Sequence, residues 1–499
     1  MPGAGGASEG RAMWLTGTSQ CGVLSAIALM GLAACSAGGG GPAHGFDQGV
    51  TMTRAQAVED IDFALKALAD IHPDLYWRSD PADIARRQQE VVAALPEKPT
   101  KLDLYIGLGE LTSLFNDAHV AVTELPVHLR GSEGRSFAVS YFGTGGRFPA
   151  SLDPYAEGLR VRDVPPRQVL LAPGDTISSI NGVPASEILE RLMALAPGSA
   201  ETKRYEARMR LPVTLWEIGI KAPFQVALAA SNTRAMRTVI LDGWTRDDGT
   251  PPGTLTQTEP IKYEVLTDGI GLIRFIDMTE SPERFYDRLL EIFRRISKNP
   301  PKGLVIDIRR NPGGNSLLGA MLLSFVTEKP YRLFTERHWK VSRTCQEWYA
   351  TESDRDPQHL KPYLAARPGQ ILDAQLKEKR PQMSTLAYKG PVAALIGPGT
   401  FSSAAILADA MSTYHLATLF GRPTTEPANQ YGEVCEAPLP NSGIHVGGPS
   451  ALVVRANGDA SSRGPVVPDV LIDSDPADPK EDPTLDAARG WIRSRIAGP

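Results

Sequence analysis

The stretch that most suggests chemistry is Gly397-Pro398-Gly399-Thr400-Phe401-Ser402-Ser403-Ala404-Ala405. An apolar run from Pro391 to Ile396 precedes it and reads as a buried strand, and a helix is expected from Ser402 to about Met411. A serine at such a turn sits where a helix N-terminus offers unpaired amides and partial positive charge, both of which stabilise a developing oxyanion. In open α/β sheets, ligands gather at the carboxyl ends of the strands, where this turn would lie. A serine that merely caps the helix fits the same pattern. A second stretch, Asp307-Ile308-Arg309-Arg310-Asn311-Pro312-Gly313-Gly314-Asn315, follows the apolar run Leu304 to Ile308. Its paired glycines would let backbone approach a ligand and turn amides toward it, as in an oxyanion hole, or would simply turn the chain from strand to helix.

Both stretches, in this order, resemble the tail-specific (C-terminal-processing) serine peptidases, which share a core with the tricorn-type proteases. That family carries a strand followed by D-[IL]-R-x-N-x-G-G, and later T-x-S-[SA]-x-[EA] at the nucleophile. Ser402 stands two residues after Thr400, at the nucleophile's place, and the amides of Gly313, Gly314 and Ser403 match the family's oxyanion hole. His72 to Tyr76 (HPDLY), Asn116 to Val122 (NDAHVAV), Pro427 to Glu433, Leu439 to Gly443 and Val467-Pro468-Asp469 are also similar to members, so the resemblance runs from about Thr53 to the C-terminus. It implies an α/β fold with a crotonase-like (ClpP/crotonase) ββα core.

The chain departs from the family at the base. The processing branch uses a lysine about 25 residues after the serine, but no lysine lies between Ser402 and Pro468. The tricorn-like branch uses histidine instead. His415 would lie about 20 Å along the same helix at 1.5 Å per residue, beyond reach. His119 follows an acidic residue in a loop matching the family's D-G-H signature, with Ala118 in place of the serine or glycine common before the histidine, and is the expected general base. Glu433 is the expected orienting acid, with Asp459 and Asp117 as rivals. The implied reaction is acyl transfer through Ser402 with peptide or protein substrates, needing no metal and no organic cofactor. A catalytically inactive ligand- or peptide-binding protein on the same fold, and an enoyl-CoA hydratase-like enzyme, are the alternatives.

Helices and strands must position these groups. Thr53 with Gln56 forms a capping-box pattern before Val58, Ile61, Leu65 and Leu68, and this helix should stop near His72-Pro73. Further helical stretches are expected over about 81–95 and after Thr100, which makes 51–119 a helical domain ending at His119. Residues 120–260 read as β-rich. Within them, Gly174-Asp175-Thr176-Ile177-Ser178-Ser179-Ile180-Asn181-Gly182 before a helix at 185–195 resembles part of a PDZ domain, and a plain strand–turn–strand would look alike. Residues 261–499 alternate strand and helix, as a mainly parallel peptidase core would.

The chain has 499 residues, with 52 Lys and Arg against 57 Asp and Glu, a net charge of -5 that gives no reason to expect nucleic acid as a partner. Residues 1–35 read as a lipoprotein signal: an apolar run from Cys21 ends in Leu32-Ala33-Ala34-Cys35, similar to a bacterial lipobox, with Cys35 as the lipidated residue. Residues 36–50 follow as a flexible glycine-rich tether. The expectation is a lipid-anchored protein on the periplasmic side of a bacterial envelope, the outer membrane in particular. Beyond the leader only Cys345 and Cys435 remain, either as one disulfide or as two buried thiols.

Overall fold

The computed structural model describes residues 51–122, 148–155, 158–165, 168–230, 235–244, 259–351, 357–381, 384–473 and 481–496. The leader with Cys35 lies outside them. Helices Arg54–Ile71, Pro81–Ala94 and Lys101–Ser113 open the described chain. Thr53 and Gln56 form the reciprocal capping box, and Thr100 with Asp103 forms a second. The first helix ends at Ile71 because His72 is extended, as the residue before proline prefers. Asp60, buried in this helix, accepts bonds from the backbone amides of Asn441 and Ser442 at 2.9 and 2.8 Å and so ties it to a distant hairpin.

A six-stranded antiparallel sheet follows, in the order Ser151–Tyr155, Gly158–Asp163, Thr176–Ile180, Phe224–Leu228 and Arg237–Leu241, with Val183–Pro184 on its third strand. The Ala185–Leu195 helix packs on it through Ile188 and Leu192, and the sheet and helix share an apolar core of their own. A helix not anticipated from the sequence, Ala200–Thr214, packs on the same core through Ala207 and Leu211. Its Tyr205 hydroxyl lies 2.1 Å from where a Cβ on Gly399 would sit, so it abuts the nucleophile turn.

The core sheet runs Val470–Leu471, Thr418–Gly421, Val392–Ile396, Leu304–Asp307, Gly271–Phe275 and Ile261–Val265. Its neighbours are parallel except the last pair, which is an antiparallel hairpin. The central strands, LVID and VAALI, are apolar because both of their faces are covered. Helices Pro282–Lys298, Ser316–Leu323 and Ser403–Thr413 supply one large apolar cluster, with Phe285, Phe293 and Leu407 fully buried. Pro483–Ile496 covers the opposite face through Ala488 and Ile492.

A third, antiparallel sheet is built on the long strand His445–Arg455. It pairs with Gln430–Pro438, with Phe334–Lys340 and with the two-residue strand Ala121–Val122. The last pairing is decisive for the site. Ala121 lies opposite Gly447 and Val122 opposite Val446, which pins the His119 loop to the core. Cys345, on helix Arg343–Thr351, is joined to Cys435 on this sheet by a disulfide, with a Cα–Cα separation of 5.4 Å.

Candidate active site

The nucleophile turn is built by backbone bonds. Thr400 Oγ1 donates to the Ile308 carbonyl at 2.9 Å and accepts from the Gly397 amide at 3.1 Å, fastening two adjacent strand ends. The Phe401 amide donates to the Asn311 carbonyl at 3.0 Å. Ser402 is left at φ 51°, ψ -124°, a conformation that side chains with a Cβ rarely adopt. Its hydroxyl makes no capping bond to the helix it precedes. The capping alternative thus fails, and the hydroxyl is free to turn toward another partner.

That partner is His119. Its Nε2 lies 3.2 Å from Ser402 Oγ, with both side chains buried, and the imidazole leans on the Phe401 ring at a centroid distance of 4.7 Å. Among the described residues, no lysine is bonded to Ser402; Lys203, half-buried nearby, donates to Asn116 Oδ1 at 3.0 Å instead. Burial pushes the His119 imidazole down to about 4, with the Asp117 charge opposing and the His72 ring reinforcing that shift.

Asp117, not Glu433, is the acid beside His119. Asp117 Oδ1 accepts from the His119 backbone amide at 2.8 Å and stands 4.0 Å from His119 Nδ1. The Nδ1 separation is an electrostatic contact, too long for a hydrogen bond. Burial raises the Asp117 carboxyl, but its bond to and electrostatic contact with His72 and its contacts with His119 outweigh it and hold the group at about 2. Glu433 is buried on the Gln430–Pro438 strand, where Arg337 reaches its Oε1 at 3.4 Å. Its carbonyl accepts from Ser450 Oγ at 2.6 Å and from Tyr349 at 3.2 Å. Its backbone has φ 55°, and the pairing with the neighbouring strand keeps one register on either side of it. Asp459, the other rival, is exposed and bonds the Ser461 amide and hydroxyl.

The glycine pair packs against the nucleophile. A Cβ on Gly313 would lie 2.8 Å from both Ser402 Cβ and the Ser403 amide nitrogen, and one on Gly314 would lie 2.4 Å from the Met278 carbonyl. Their φ values, 94° and 128°, favour glycine as well. The Gly313 amide donates to Asn311 Oδ1 at 2.9 Å, so it is committed within its own turn and does not match the oxyanion role expected of it. Ser403 Oγ donates to the Gly314 carbonyl at 2.6 Å, which locks the second glycine to the start of the helix. Gln430, inside the Pro427 to Glu433 stretch but given no role from sequence, donates from Nε2 to the Ser402 carbonyl at 3.0 Å. A cavity of about 160 Å³ opens nearby, lined by Asp74, Trp77, Asn429, Tyr431, Leu452 and Arg463. Among the described residues no cluster of three or more His, Cys, Asp or Glu is arranged to hold a metal ion.

The class to which this parallel crotonase-like core belongs comes from comparisons with known proteins. Residues 269–472 match peptidase family S41, so the core is an S41 peptidase domain and the protein a hydrolase. Among solved structures, a CPAF mutant is 16% identical with a TM-score of 0.61, over 89% of this chain and 96% of that one. Mature CPAF complexed with lactacystin is 17% identical with a TM-score of 0.58, over 89% and 98%. At that identity the likeness concerns the fold. A comparison with curated proteins finds no match.

Proposed function

We propose that this protein hydrolyses peptide bonds through an acyl-enzyme on Ser402, with His119 as general base and Asp117 as the group that stabilises the imidazolium. The observation that carries this reading is the 3.2 Å approach of His119 Nε2 to Ser402 Oγ across 283 residues of sequence. His119 takes the hydroxyl proton as Ser402 attacks the carbonyl, then returns it to the leaving amine; water repeats the cycle in reverse on the ester. An imidazole held near 4 is unprotonated at neutral pH, as a base must be. Asp117 stays ionised and opposes the positive charge that develops on the ring. The N-terminus of helix Ser403–Thr413, with the Ser403 and Gly314 amides, receives the oxyanion.

Peptide and protein substrates follow from the family. The PDZ-like sheet supports recognition of a substrate tail by strand addition. Its Arg237–Leu241 strand is an edge among the described residues, with Met236 and Ile240 exposed alongside. The disulfide supports export to an oxidising compartment, in keeping with the lipobox at Cys35.

The test is reaction of the purified protein with a fluorophosphonate probe. Wild type and Glu433→Gln should label alike, Ser402→Ala and His119→Ala should not label, and Asp117→Asn should label at least ten-fold more slowly. A folded wild type that neither labels nor cleaves peptides would overturn the reading in favour of a binding protein.

A further inference from the structure

Beyond the three side chains of the proposed site stands a second buried histidine with no assigned task. His72 is 1% exposed at the end of the first helix, and its ring packs on Tyr431 at a centroid distance of 4.5 Å. The Asp74 backbone amide donates to His72 Nδ1 at 2.9 Å. That nitrogen therefore accepts, and the ring's proton belongs on Nε2. Nε2 lies 3.3 Å from Asp117 Oδ2, and the Trp77 indole donates to the same oxygen at 3.0 Å.

From this geometry we infer that His72 is a positioning residue for the hydrolysis, acting on His119 through Asp117. The two carboxylate oxygens divide their work. Oδ2 is held by His72 and Trp77, and this leaves Oδ1 turned to the His119 amide and ring. A buried carboxylate remains ionised only while its oxygens are supplied with donors. Removing the His72 N–H takes one of two donors from Oδ2, so Asp117 either rotates toward the vacancy or takes up a proton. Either change withdraws negative charge from the imidazolium that forms as Ser402 attacks. The Asp74 amide has its own part: by bonding Nδ1 it selects the tautomer that can donate. Pro73, between them, fixes the extended backbone that lets residue 74 reach back to the ring.

This inference rests on the Ser402–His119–Asp117 reading, and the experiment separates the two. The quantity measured is the second-order rate of fluorophosphonate labelling at pH 7, on full-length protein whose folding is checked by circular dichroism. His72→Phe should label roughly ten- to hundred-fold more slowly than wild type, the usual cost of losing a group that orients a ligand or catalytic residue. His72→Gln, whose amide nitrogen stands near the Nε2 position, should recover most of the rate. His72→Asn, which reaches only the Nδ1 position, should not. In an Asp117→Asn background the His72→Phe change should slow labelling less than two-fold further, because its route to His119 is already cut. Equal rates for the Gln and Asn variants, or an undiminished His72 effect in the Asp117→Asn background, would overturn the inference while leaving the site intact. An Asp117→Asn protein labelling as fast as wild type would remove the site reading and this one with it. If His72→Phe does not fold, the Gln and Asn pair decides alone.

Discussion

Replacing Ser402 by glycine and by alanine separates what this position does from what its backbone costs. At φ 51°, ψ -124° it occupies the region of the first central residue of a type II′ turn, where glycine sits without penalty. A residue with a Cβ held there carries strain of about 1–3 kcal/mol. Alanine keeps that strain and loses only the hydroxyl's bond to His119, since the side chain makes no capping bond. Glycine releases the strain and loses roughly 0.5–1 kcal/mol to chain entropy. The glycine variant should therefore be the more stable by about 1 kcal/mol, the reverse of the order at an ordinary helical or strand position. For a cooperative unit the size of the core, that is a midpoint difference of about 2–4 °C in thermal unfolding. Both variants should be inert to the fluorophosphonate, so differential stability is read without interference from labelling. An alanine variant as stable as the glycine variant would refute the strain, and with it the claim that local stability is given up to aim this hydroxyl at His119.

Further outcomes follow from other parts of the site. Because burial holds His119 at about 4, the labelling rate should stay flat from pH 8 to about pH 5 and fall by half near pH 4; an acid limb centred at 6.5 would show an exposed histidine. The same depressed value means the unfolded chain takes up this proton first, so His119 removes stability as pH falls from 6.5 to about 4 and has no effect above. Asp117 contributes stability above pH 3.8 that is lost as pH falls toward about 2, and urea titrations at pH 7, 5 and 4 should show the histidine part absent in His119→Phe. Gly313→Ala should abolish labelling, since its Cβ would lie 2.8 Å from Ser402 Cβ and the Ser403 nitrogen; normal labelling would mean the turn yields. Reduction of Cys345–Cys435, which spans 90 residues, should cost about 2–5 kcal/mol and lower the melting temperature, as Cys345→Ser should in unreduced protein.

Much of this was legible in the chain itself. The Ala185–Leu195 helix and the Val392–Ile396 strand fall where the sequence pattern puts them, because these signals are local. Ser402, Gly313 and Gly314 declare themselves by turn chemistry: each holds a positive φ or close approach that leaves few residue types acceptable. His119 was reachable through a resemblance, though nothing local to it names its partner.

The acid was not legible. Glu433 and Asp117 are both acidic residues beside plausible motifs, and sequence carries no distance between either and His119. A two-residue strand, Ala121–Val122, decides the matter by pairing with Gly447 and Val446; it places the His119 loop, with Asp117 two residues earlier, against the nucleophile turn. Glu433 is buried in its own strand, where Arg337 holds its carboxylate. His72, Trp77 and Gln430 gain their roles the same way, from contacts with residues 28 to 45 positions away that no local pattern announces. Local sequence determined which backbone turns could bear a nucleophile. Long-range strand pairing, whose energy is shared among many weak contacts and written in no short motif, decided which charges face it.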